Sequence, residues 1–119
     1  MKINELRIGN YVNWKEELAC IAQILELDVC FKCGDIGLLK DLYPIPLTEE
    51  WLEDLGFDKI TKNVFKINLG YSCCFKTLKI YLLNGQIDIE DDCLCHIPVF
   101  VHSLQNLCFA LTGEELIIF

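Results

Sequence analysis

Leu78-Lys79-Ile80-Tyr81-Leu82-Leu83-Asn84-Gly85-Gln86-Ile87-Asp88-Ile89 is the stretch whose reading decides the fold. Leu78, Ile80 and Leu82 recur at every second position, as in a strand that buries one face. Asn84-Gly85 then fits the two positive-φ positions of a type I′ turn, the strongest short-range hairpin signal. Ile87 and Ile89 point one way on the return strand, Gln86–Glu90, and this phase puts Asp88 and Glu90 on its outward face. Phe65–Leu69 upstream and Leu94–Phe100 downstream read as further strands.

Toward the N-terminus the same period of two runs from Leu6 to Trp14, with Leu6, Ile8, Val12 and Trp14 on one face. Gly9 interrupts it and marks a bulge. The polar turn Lys15-Glu16-Glu17 leads into a second strand, Leu18–Leu27, and a third, Val29–Cys33, ends at Gly34-Asp35. The first third is therefore expected to be an antiparallel meander or half-barrel.

Tyr43-Pro44-Ile45-Pro46 is stiff and extended, because each proline also restricts the residue before it. A helix over about 48–56 follows. Thr48 caps it, Glu49 and Glu50 suit its positive N-terminal end, Leu47 staples against Leu52, and Gly56 stops it. A second amphipathic helix, about 102–112, carries Leu104, Leu107, Cys108 and Leu111 at helical spacing before Thr112-Gly113. Glu114–Phe119 is expected to return as a last strand. With no repeat, linker or low-complexity tract, residues 1–119 read as one α+β domain.

Composition narrows the function classes. The chain is 53% apolar with a mean hydropathy of +0.34, which means either a large core or apolar surface that a partner covers. The longest apolar runs, Ile97–Val101 and Leu116–Phe119, fall far short of the roughly 20 residues of a bilayer helix. Glu5 and Arg7 stand where a signal peptide would be apolar, so a cytoplasmic location is expected. The eight cysteines then read as reduced thiols, mostly core residues, rather than as a disulfide framework. Eighteen acidic against ten basic residues give a net charge of −8. The bases are scattered singly, which speaks against direct nucleic-acid binding.

Three stretches, Ile3–Val12, Ile45–Leu52 and Val101–Leu116, resemble a group of small uncharacterised proteins of Bacteroides-type gut bacteria and their prophages and mobile elements. The matching segments cover about a third of the chain, and the last (Val-His-Ser-Leu-Gln-Asn-Leu-Cys-Phe-Ala-Leu-Thr-Gly-Glu-Glu-Leu) is the most distinctive. The resemblance implies a bacterial or phage cytoplasmic protein and assigns no activity or site residue.

Two clusters carry soft metal ligands. Cys30-Phe31-Lys32-Cys33 has the two-residue gap of zinc ribbons, and Cys93-Leu94-Cys95-His96 offers three ligands close together. Regular strand alternation argues against their convergence. It turns Cys30 from Cys33, and His96 from Cys93 and Cys95. A thiol nucleophile would need a histidine base, and Cys93 or Cys95 with His96 or His102 is the pairing available. Asp88–Asp92 lacks the spacing of a calcium loop and reads as a solvated face. Gly34 and Gly37 lack the pattern of a phosphate loop. His102, opening the second helix, reads as a cap or partly buried side chain. The leading expectation is a non-enzymatic binding or accessory protein that docks on a protein partner or on a second copy, with no cofactor. A zinc-stabilised module using Cys30, Cys33, Cys93 or Cys95, and His96 is the alternative, and a thiol-based enzyme the third reading.

Overall fold

Lys15 and Glu16 both take positive φ, 52° and 63°. This two-residue turn joins β1 (Tyr11–Trp14) to β2 (Glu17–Ile24) in a tight antiparallel hairpin. The computed structural model describes residues 3–71, 74–83, 86–89, 92–96, 100–113 and 115–118. The fold is α+β and comprises two compact units. The first holds residues 1–46 and 100–107, the second 47–99 and 108–119.

In the first unit β2 turns into β3 (Asp28–Phe31) and β3 into β4 (Ile36–Leu38). A single 3₁₀ turn, Leu39–Asp41, carries the chain to β5 (Leu42–Tyr43), which pairs back onto β1. The result is an antiparallel half-barrel with strand order β4-β3-β2-β1-β5. Leu6, Val12, Ile21, Val29, Phe31 and Leu42 form its core, with Trp14, Ala19, Ile24 and Leu39 packed against them.

The expected first strand is shorter than its alternation suggests. Ile3–Glu5 forms a 3₁₀ turn, and Asn10 N–H donates to the Arg7 carbonyl at 3.1 Å across a turn whose third residue is Gly9, at φ 98°. Gly9 N–H then donates to the Ile21 carbonyl while Ile21 N–H donates to that of Asn10. Two residues face one, so the bulge expected at Gly9 is present. The second and third strands also end sooner than expected, at Ile24 and Phe31. Their far residues are taken up by turns, the latter closed by Gly34 at φ 97°.

The second unit opens with α1 (Glu49–Asp54), whose signals act as the sequence implies. Thr48 Oγ1 accepts the Trp51 N–H at 3.3 Å, and Leu47 and Leu52 are both buried. Gly56, at φ 97°, closes a Schellman motif in which Phe57 N–H donates to the Leu52 carbonyl and Gly56 N–H to that of Glu53. The second sheet follows as β6 (Asp58–Thr61), β7 (Val64–Tyr71), β8 (Cys74–Tyr81), β9 (Gln86–Ile89) and β10 (Asp92–His96). These pair antiparallel in the order β10-β9-β8-β7-β6.

Tyr81 faces Gln86 and Ile80 faces Ile87, the pairing that an Asn84-Gly85 turn predicts, although those two residues lie outside the described ones. Phe65, Leu78, Ile80 and Ile87 are buried. Asp88 corrects the expectation of an outward, solvated side chain, because it is only 8% exposed. The return strand is not an edge: β10 pairs along its other side, and Asp88 stands opposite Lys79 of β8. Glu90 lies outside the described residues.

α2 (Val101–Thr112) is closed by Gly113 at φ 74°, whose N–H donates to the Phe109 carbonyl. Its residues through Leu107 belong to the first unit and those from Cys108 on to the second. The expected last strand does not form in residues 115–118, which are irregular while Leu116 is buried.

Candidate functional site

The residues singled out for metal or thiol chemistry divide between the units. Cys30 lies half-buried on β3, and Cys33 is exposed in the turn after it, its thiol 3.6 Å from an Asp35 carboxylate oxygen. Cys93, Cys95 and His96 lie on β10. The register shifts between Cys93 and Cys95, so the regular alternation used to phase those residues does not hold there. Among the described residues no group of three or more His, Cys, Asp or Glu side chains is placed to hold a metal ion. Among the described residues, Cys20, Cys30, Cys33 and Cys108 form no disulfide. Burial, with Glu115 nearby, pushes the Cys108 thiol up to about 12, so it stays protonated and poorly nucleophilic at neutral pH.

His102 sits inside the first turn of α2 rather than capping it, and is only 5% exposed. Its ring stacks on Phe100 at 6.0 Å, and among the described residues Nδ1 has no hydrogen-bond partner. Burial lowers its pKa and outweighs the opposing pull of Glu5. The ring is therefore neutral at physiological pH.

The polar groups that do converge in the first unit serve architecture. Gln105, fully buried, accepts the Tyr11 N–H at 2.9 Å and donates to the Gly9 carbonyl at 3.0 Å. Its amide thus stands in for a strand beside the bulge. Asn10, also fully buried, accepts the Arg7 N–H at 2.7 Å and donates to Asn106 Oδ1 at 2.9 Å, and Asn106 donates to the Glu5 carbonyl at 2.9 Å. The Arg7 guanidinium donates to the Gln105 carbonyl. These bonds end on backbone or amide groups, and they pin α2 to the strand entry.

Two surface features remain. A hollow of ≈ 440 Å³ beside β1 and β5 is lined by Asn13, Lys15, Glu16, Asp41 and Tyr43. On the inner side of the same sheet Trp14 lies on Phe31 with ring centroids 4.7 Å apart, and the Lys15 ammonium sits 4.7 Å from the Trp14 centroid. Gly37 is buried against this pair, leaving no space for a side chain.

The second feature is the outer edge of the first sheet. Phe31 N–H donates to the Asp35 carbonyl and Leu39 N–H to that of Leu27, at 2.9 and 3.0 Å. Gly37, midway between Asp35 and Leu39 and facing Val29, therefore also turns toward β3. By the alternation of an antiparallel ladder, Ile36 and Leu38 direct their N–H and C=O groups outward. Ile36 is 60% exposed and Leu38 42%, beside Leu27 at 71% on the neighbouring turn.

Sheet edges of this kind are usually blunted by charge, proline or bulges. β6 carries Asp58 and Lys59 and a register break, β10 carries Asp92 and a break, and β5 runs into Pro44. β4, Ile36-Gly37-Leu38, has none of these. Sequence reasoning missed this strand, noting Gly37 only as an incomplete phosphate loop. The available signal was two apolar residues flanking a glycine just after the Gly34-Asp35 turn.

Compared with models of known families, with curated proteins and with solved structures, the chain matches none.

Proposed function

We propose that this chain is a non-enzymatic interaction protein, an accessory factor of bacterial, prophage or mobile-element origin that works in the cytoplasm by docking on another polypeptide. The observation that carries this reading is the unprotected edge of β4, where outward backbone groups coincide with exposed Ile36, Leu38 and Leu27. An extended segment laid along such an edge gains ladder hydrogen bonds from the backbone and selectivity from alternate side chains. The origin rests on the resemblance of the three sequence stretches described above.

Immobilised protein exposed to a bacterial lysate provides the test. Wild type should retain a partner that Ile36→Lys loses and Ile60→Lys keeps, since Ile60 is an exposed apolar residue on the protected edge strand β6. Equal capture by all three proteins would overturn the assignment to β4.

A further inference from the structure

Resting on this docking reading, we infer that the occupant of the β4 edge is a second copy of the chain, paired antiparallel about a two-fold axis through Gly37. Three properties of the segment Asp35-Ile36-Gly37-Leu38-Leu39-Lys40 make it complementary to itself in that direction. The first is ladder parity. Ile36 and Leu38 both point their N–H and C=O groups outward, and antiparallel alignment on Gly37 sets Ile36 of each copy opposite Leu38 of the other. Each such pair exchanges two N–H···O bonds, so the edge closes with four.

The second property is the centre. Gly37 then faces its own counterpart in the closely spaced, non-hydrogen-bonded position, where Cα atoms approach to ~4.5 Å. It brings no side chain to that contact. The third is charge. Asp35 and Lys40 are both exposed, one at each end of the segment. Antiparallel pairing sets Asp35 of each copy opposite Leu39 of the other, one residue from Lys40 in the 3₁₀ turn, so acid and base fall at the same end, whereas parallel pairing would align like charges. A symmetric contact in which the same patch serves both sides is the commonest route to a homodimer.

Size sets the strength. The strand is three residues long, and its apolar flank is Ile36, Leu38 and Leu27. That falls short of the ~800 Å² each partner gives to a standard interface. The pair is therefore reversible, with a dissociation constant on the order of 10–100 μM.

Sedimentation equilibrium on the full chain from ~5 to ~500 μM tests this directly, with far-UV circular dichroism to show that each variant is folded. Wild type should pass from monomer to dimer across the range, and Ile36→Lys should stay monomeric. Asp35→Lys and Lys40→Asp should each weaken the dimer about tenfold, because each places like charges together at both ends. The double exchange, Asp35→Lys with Lys40→Asp, should restore it. A wild type that is monomeric throughout, or a double variant no better than the singles, overturns the two-fold pairing. If wild type is monomeric while Ile36→Lys still loses a lysate partner, self-pairing falls and docking stands. If neither depends on Ile36, both fall.

Discussion

Replacing Gln105 with alanine should cost this protein more than any apolar truncation of one or two methylenes, although the residue looks like an ordinary polar position on a helix. Its side chain is fully buried, accepting from Tyr11 N–H at 2.9 Å and donating to the Gly9 carbonyl at 3.0 Å. Truncation takes a partner from a backbone donor and a backbone acceptor at once. Each buried group so deprived costs about 1–3 kcal/mol, and the vacated volume adds to the loss, so a total near 3–5 kcal/mol is expected. That is a large part of the ~5–15 kcal/mol by which domains are stable. Urea unfolding followed by circular dichroism should show the midpoint falling with little change in slope. Gln105→Glu sharpens the test, because a carboxylate keeps the acceptor for Tyr11 but meets the Gly9 carbonyl without a proton. Only the protonated acid can donate there, so its folded pKa is raised. The stabilisation is then present at low pH and lost as pH rises through that value. A Gln105→Ala variant destabilised by less than about 1 kcal/mol would refute the role given to this amide.

The remaining predictions concern packing, titration and thiols. Gly37→Ala should destabilise by about 1–3 kcal/mol, because an added Cβ would lie 2.6 Å from Trp14 Nε1 and 2.9 Å from the Phe31 ring. An unchanged melting temperature would show that these rings can move aside. For His102, whose pKa is lowered by burial, stability is full above the unfolded pKa of ~6.5 and is lost as pH falls toward the folded value. Wild type should therefore lose more stability between pH ~7.5 and ~5.5 than His102→Phe, with His96 present in both, and parallel profiles would contradict this. Of Cys20, Cys30, Cys33 and Cys108, the exposed Cys33 should react first with a mild alkylating agent and Cys108 last, its pKa being near 12. Peptide mapping that finds Cys108 among the early products would show that its burial is transient.

What the sequence revealed depended on how local each signal is. Thr48, Leu47 and Gly56 act within one or two turns of helix, so α1 and both its ends were legible before any tertiary contact is known. The β8–β9 pairing was legible for the same reason, since turn and register lie within a dozen residues. Gln105 was hidden because its partners, Gly9 and Tyr11, lie 96 and 94 residues away. On a helix whose apolar stripe is Leu104, Leu107, Cys108 and Leu111, an amide beside the stripe reads as solvent-facing. Asp88 failed similarly: strand phase assigned its face, but burial depended on β10 pairing alongside β9. β4, β5 and β6 span three, two and four residues, too short for a period of two to stand out.

The apolar excess of the chain posed a choice between an enlarged core and a surface that something covers, and the exposed residues decide how far each holds. Ile8, Leu18, Ile60 and Leu83 are all more than half exposed, so the excess is not consumed by the core. Scattered singly, such residues are normal on protein surfaces and call for no partner. What separates Ile36 and Leu38 from them is the backbone. These two alternate with a glycine whose place against Trp14 and Phe31 admits no side chain, and that inward glycine is what turns their own N–H and C=O groups outward. Packing inside the half-barrel thus sets the parity of its free edge. A residue inserted between Gly37 and Leu38 would leave the glycine in place but turn the N–H and C=O groups of Leu38 toward β3, and should weaken docking along β4 even if Leu38 stayed exposed.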